Sequence, residues 1–226
     1  MATSIKKKLS LSAILFCAIV APAKLVDQTV GVVGMHVITL RDIRVQSAVE
    51  HLQQHRKLPD TSEGGKNRED WAPDHLSRAR QNIVTDYLIQ DYLASTQTPL
   101  EILAKDKETA VSKIMGIDKG RIDSFLSDEG IVTLDLHIVA ERKLRLESFL
   151  ENQLAFRTNF LDDEVKAHYE KYRQDRFLNR EFSDVQNIVR ADLKKEKLQV
   201  EFAQWIKNQI RRTEVTVLPI PALLKP

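Results

Sequence analysis

Few side chains in this 226-residue sequence are spaced for chemistry. His51 and His55 stand four apart, the spacing that puts two imidazoles on one helix face, where a carboxylate or a third histidine would complete a zinc site. No such ligand is close in sequence, and Gln53, Gln54, Arg56 and Lys57 surround the pair with polar residues, so they read as a solvated face. Asp162, Asp163 and Glu164 would suit paired-carboxylate catalysis or magnesium binding if they converged. Consecutive helix residues diverge, however, and carboxylates in a first helical turn are stabilised by the positive end of the helix dipole alone. Gly31-Val32-Val33-Gly34 is too short and too apolar for a phosphate loop and carries no lysine. Neither G-x-S-x-G nor H-E-x-x-H occurs. These patterns point away from an ATP-driven or hydrolytic machine, and no cofactor or metal is expected.

The basic stretch that includes Lys194, Lys195, Lys197, Phe202, Trp205, Lys207, Arg211 and Arg212 is amphipathic, a pattern shared by membrane-surface helices and by helices that bury an apolar stripe. Glu196 and Glu201 interrupt the charge, and burial is the expectation. Residues 1–23 follow the grammar of a secretory signal: Lys6 to Lys8, the apolar run Leu9 to Val20, then Ala21-Pro22-Ala23, with cleavage expected after Ala23. That run is too short for a membrane span, and nothing later approaches the required length. The only cysteine, Cys17, lies inside it, so the mature chain would have no thiol for disulfides, metals or nucleophilic attack. Three of the 34 basic residues and none of the 32 acidic ones fall in residues 1–23, leaving a mature net charge of −1. Nucleic acid is not expected as a partner, since phosphate binding needs a clustered cationic excess.

The elements that must position any site are mostly helical. Thr29–Val33 and Val37–Thr39 read as two β-branched runs joined at Gly34, and Thr39 with Asp42 resembles a capping box opening a helix to about Arg56. Residues 57–73 concentrate Pro, Gly, Ser and charge and read as a loop with Trp71 docked. Helices are expected from Pro73 to Ala94, from a start signal at Thr98-Pro99-Leu100-Glu101 to Met115, from an Asp118 cap to Leu126, and from Thr133 to Arg157. Gly116 and Gly130 are the stops. A further helix opens at Asp162 and ends near Gln174, and a last one runs from a Ser183-Asp184 cap to Arg212. The last helix has Ile188, Leu193, Leu198, Phe202, Trp205, Ile206 and Ile210 as its stripe. Thr213–Leu218 closes as a strand, and because an isolated hairpin is marginal in water it is expected to pair with the hairpin at the start. The fold class is therefore mainly α with a small sheet, one domain over residues 24–218 and a flexible tail over 219–226.

The order of these segments resembles the SurA-like, parvulin-type foldase chaperones. The run Val26 to Ile43 is similar to their opening, Gln81 to Gln90 to their second helix, and Asp123 to Gly130 to their short glycine-ended helix. Asp162-Asp163-Glu164-Val165 with Tyr169 and Tyr172 is similar to the stretch after their long helix, and Ser183 to Leu218 to their returning helix and strand. Complete members insert parvulin prolyl isomerase domains before that helix, whereas here only Gln174 to Phe182 occupies the place. The resemblance thus implies a periplasmic, ATP-independent holdase for unfolded outer-membrane or other exported proteins, without isomerase activity. It would hold clients in an apolar-lined cradle at about micromolar affinity, on the order of −8 kcal/mol. Met115, Phe125 and Leu126, close to helix junctions where burial should be incomplete, are the expected peptide-binding residues. Two other classes stand beside this reading: a degenerate isomerase acting without its usual domain, and a non-enzymatic envelope assembly protein with one dedicated folded partner.

Overall fold

The computed structural model describes residues 27–55, 73–100, 102–117 and 122–220. The expected signal segment, the loop with Trp71, the Asp118 cap and the last six residues of the tail lie outside them. The molecule is mainly helical with a three-stranded antiparallel sheet, as the patterning implies. Strands β1 (Thr29–Val33) and β2 (His36–Thr39) form the hairpin, and β3 (Val215–Val217) pairs with the free side of β1, giving the order β2-β1-β3. The last strand thus returns to the first, with Val32 opposite both Val37 and Thr216.

Two local devices launch the fold. Gly34 sits at φ +55°, a conformation a β-carbon disfavours, and a β-carbon there would also meet Asp91 Oδ2 at 2.8 Å. Only glycine serves both the turn and the close approach. After β2, Thr39 N–H donates to Asp42 Oδ2 at 3.0 Å and Asp42 N–H to Thr39 Oγ1 at 3.1 Å, the reciprocal box that starts α1 (Leu40–His55).

Helices α2 (Pro73–Thr96), α3 (Ala104–Met115), α4 (Ile122–Asp128) and α5 (Thr133–Phe149) follow. The α5 axis continues through a π-helical turn at Leu150–Leu154 and a short 3-10 turn at Ala155–Arg157. Then come α6 (Asp162–Tyr172) and the 29-residue α7 (Phe182–Ile210). The start signal at Thr98-Pro99-Leu100-Glu101 is not used as expected. Gln97 adopts φ +50°, its N–H reaches Ala94 O, and Thr98 N–H reaches Leu93 O at 3.0 Å. That is a left-handed close to α2, with proline following where it commonly does. Helix α3 instead begins at Ala104, after an extended Leu103. The last helix also begins earlier than Ser183, with Glu181 extended at its cap position.

The interior divides into three apolar clusters. Val49, Leu52, Ile114, Ile122 and Leu136 join α1, α3, α4 and α5. Val30, Ile38, Ile83, Leu88, Phe149 and Trp205 join the sheet, α2, the end of α5 and the second half of α7. Val165, Tyr169, Phe177, Val185 and Val189 join α6 to the first half of α7. At about 1.5 Å per residue, α7 spans more than 40 Å and ties the third cluster to the second. Its buried stripe begins at Val185 and Val189, while Ile188 and Ile210 are exposed. No helix among the described residues is long and apolar enough to cross a membrane.

The starts of α1 and α5 are locked by Arg41, whose Nη1 and Nη2 bond Asp135 Oδ1 and Oδ2 at 2.9 and 2.6 Å. Asp135 is buried and also accepts Val132 N–H, capping α5. Burial opposes ionisation of Asp135, but the bonds from Arg41 and Val132 outweigh it and hold the carboxyl below its ordinary 3.8. A depressed carboxylate contributes its full stability above the unfolded pKa and loses it as pH falls through the folded value. Asp135→Asn is therefore expected to lower stability at pH 7 and to flatten the acid limb below about pH 4 in circular-dichroism titrations. An acid limb identical to wild type would contradict this.

Candidate functional site

A groove of about 860 Å³ lies between α3 and α5, with Gln53 of α1 also in its lining. Val111 and Ile114 of α3 turn into the first cluster with Leu136, Val139 and Ala140 of α5, and the small Ala110 is partly buried beside them. Ala110, Ile117 and Leu144, each partly accessible, form an apolar floor, with the buried Ile114 beneath them. Asp106 and Lys113 on one wall, and Lys143 and Glu147 on the other, make a rim of mixed charge. Lys107 Nζ donates to Glu141 Oε2 at 3.2 Å and fixes the spacing of the two helices. The shape and chemistry of such a surface suit apolar side chains of an extended or helical segment, with the rim left hydrated.

The residues expected to line a peptide site are placed differently. Phe125 and Leu126 are buried, at 6% and 7% exposure, in the cluster beneath α4, and so are not available to a ligand. Their short helix packs both side chains inward because Ile122 and Ile131 flank them with further apolar surface. Met115 is partly buried against the same cluster, between the groove residues Ile114 and Gly116, but does not itself line the groove. The groove residues were missed because Ala110, Ile117 and Leu144 carry no sequence signal that separates a groove floor from a core.

The His51 ring tilts towards His75 of α2, with centroids 6.2 Å apart, and the side chain of His55 lies outside the described residues. Among the described residues no three potential metal-ligating side chains gather. The acidic triplet diverges. Asp162 bonds Arg190, whereas Glu164 accepts Leu161 N–H at 2.8 Å and Lys197 Nζ at 2.6 Å. The Lys197 ammonium, with the Leu161 bond, holds the Glu164 carboxyl below its usual range.

Two polar constellations have no sequence signature because their members are far apart. In the first, the carboxylate of Asp86, 3% exposed, accepts Arg145 Nη1 and Gln90 Nε2, with Arg142 Nε at 3.7 Å. Arg142 also reaches Gln46 Oε1 at 3.3 Å, and Arg145 reaches Glu141 Oε1 at 2.7 Å. This network joins α1, α2 and α5 where the first two clusters meet. In the second, buried His168 Nε2 donates to Asp192 Oδ2 at 2.9 Å, and Arg176 Nη1 to the same oxygen at 2.7 Å. Burial opposes ionisation of Asp192, but these two bonds prevail and lower its pKa. A histidine oriented by a carboxylate is half of a nucleophile-activating relay. Here the His168 ring faces Tyr172 and Phe177 at centroid distances of 4.8 and 6.2 Å, so its surroundings are those of a packed core histidine.

No protein-family model matches the chain, and no curated protein matches it.

Proposed function

We propose that the chain is an ATP-independent periplasmic holdase that binds unfolded exported or outer-membrane polypeptides in the α3–α5 groove, without prolyl isomerase activity. The observation that carries this reading is the groove itself, which combines an apolar floor with a rim of two cations and two anions. An apolar floor retains unfolded segments by the hydrophobic effect, which is indifferent to sequence, and balanced rim charges favour neither acidic nor basic clients. The arrangement of the chain supports the same reading. A hairpin start, a long α5 axis and a final strand that returns to the hairpin match the order in which the sequence resembles SurA-like chaperones. Between α6 and α7 the chain makes only a short turn over residues 173–181, the place where those relatives carry their isomerase domains. The secretory grammar of residues 1–23 supports the location.

The test substitutes the floor. Ala110→Glu places a carboxylate among Ile114, Ile117 and Leu144, and is expected to lower affinity for a urea-unfolded outer-membrane protein at least about tenfold, roughly 1.4 kcal/mol. The melting temperature should shift by no more than a few degrees, since a cost near 1 kcal/mol moves a chain of this size by about 2–4 °C. Unchanged affinity in a folded Ala110→Glu protein would remove the groove from the account. Binding of one folded envelope protein, with indifference to unfolded chains, would favour a dedicated assembly partner.

A further inference from the structure

Among the described residues the sheet ends at β3. In an antiparallel ladder the N–H and C=O groups of a strand point alternately to its two neighbours. On the side of β3 facing β1, Glu214 O accepts Gly34 N–H at 2.9 Å and Leu218 N–H donates to Val30 O at 3.0 Å, with Thr216 opposite Val32 between them. The alternation turns the N–H and C=O of Val215 and Val217 the other way. Among the described residues no strand lies on that side and no hydrogen bond reaches those groups. Val217 and Leu218 are 46% and 43% exposed, so the edge is open to solvent.

We propose that this edge captures an extended segment of an unfolded polypeptide as a fourth strand of the sheet, an inference that rests on the holdase reading and gives it a binding mode. The edge itself specifies the occupant. Its donors and acceptors repeat every two residues, about 6.8 Å, a spacing that another extended chain matches and a helix does not. Strands of outer-membrane barrels are runs of about ten residues with alternating apolar and polar side chains, so such a segment would set one face beside the sheet's β-branched residues and keep the other in water. The edge is held ready, because Arg80 Nη1 donates to Leu218 O at 2.9 Å and fixes the end of the strand. It is also short: Pro219 has no N–H to continue the ladder, which keeps capture weak and reversible. The opposite edge offers less, since Thr39 N–H is already taken by Asp42.

The probe is a synthetic peptide of about ten residues in which Val and Tyr alternate with Thr and Lys, compared with a twin N-methylated at every second residue. Binding of the first is expected to slow amide exchange at Val215 and Val217 at least about tenfold, while the twin binds at least about tenfold more weakly. Val217→Pro removes one outward N–H without touching the bonds to β1, and should weaken peptide binding similarly. Equal binding of the N-methylated twin, or unchanged exchange at Val215 and Val217 with peptide bound, would overturn the inference whether or not Val217→Pro folds. Protection that appears without peptide and grows with protein concentration would also overturn it, by assigning the edge to a second copy. If the unmodified protein delays client aggregation but the edge amides stay unprotected, only this inference fails. If aggregation is not delayed at all, the holdase reading fails first.

Discussion

Asp86→Ala is expected to lower the unfolding free energy by about 3–5 kcal/mol, the usual cost of breaking a buried ion pair from one side. Asp86 is the acceptor on which the network turns. Without it, Arg142 and Arg145, with side chains 10% and 14% exposed, keep their charge inside the protein. Arginine cannot shed its proton to escape, so the desolvation penalty stays in the folded state. Arg145 would retain Glu141 at the edge of the network, and Arg142 would retain only the neutral oxygens of Gln46 and Tyr87. Domains of ordinary stability hold about 5–15 kcal/mol in all, so the loss is a large fraction of the total. Urea unfolding followed by circular dichroism measures it. A change below about 1 kcal/mol would mean that solvent reaches these arginines and that the network does not join the two clusters as described.

Phe149→Ala should cost a similar amount, about 3–5 kcal/mol, by a different route. Phe149 is fully buried where three helices meet, with the Trp205 ring centroid at 4.6 Å and the Tyr92 centroid at 5.9 Å, the latter edge-on. Truncation removes apolar area and leaves a void that the neighbours fill only in part. It also deletes two aromatic contacts, each worth about 0.5–1.5 kcal/mol beyond area. Trp205 is expected to become more mobile, visible as a red shift and quenching of its emission. Because the second cluster includes the sheet, the same variant should speed amide exchange at β1. A loss confined to the end of α5, with the sheet unaffected, would show that Phe149 does not couple these elements.

How much of this was legible in the sequence varies with the range of the interaction concerned. The box at Thr39 and Asp42, the turn at Gly34 and the strand following Arg212 all rest on residues within a few positions of one another, and each stands where local chemistry puts it. The return of β3 to β1 was legible for a different reason, since an isolated hairpin is marginal in water and needs a further strand. Misreadings came where two local signals compete. Thr98-Pro99 reads equally as a helix start or as the residues after a left-handed helix end, and the bond from Thr98 N–H to Leu93 O decides for the second. Phe125 and Leu126 were misplaced because apolar residues near loops carry no mark of which way they face. The groove floor and the Asp86 network depend on residues from different helices, such as Asp86 with Arg145, 59 positions apart, and Gln46 with Arg142, 96 apart, and no spacing rule connects them.

The last stripe shows the same limit on a smaller scale. Periodicity correctly gave α7 as amphipathic, but the helix turns its stripe along its length to serve two clusters. Val185 and Val189 are therefore buried while Ile188 is exposed. A single regular stripe would have placed all three on one face.

The most direct test of the central claim is light scattering after a urea-unfolded outer-membrane protein is diluted into buffer without nucleotide, with and without a stoichiometric amount of the chain. The account predicts that scattering is suppressed, and that a proline-containing peptide isomerises no faster in the presence of the chain. Scattering that rises equally with and without the chain would contradict the holdase reading.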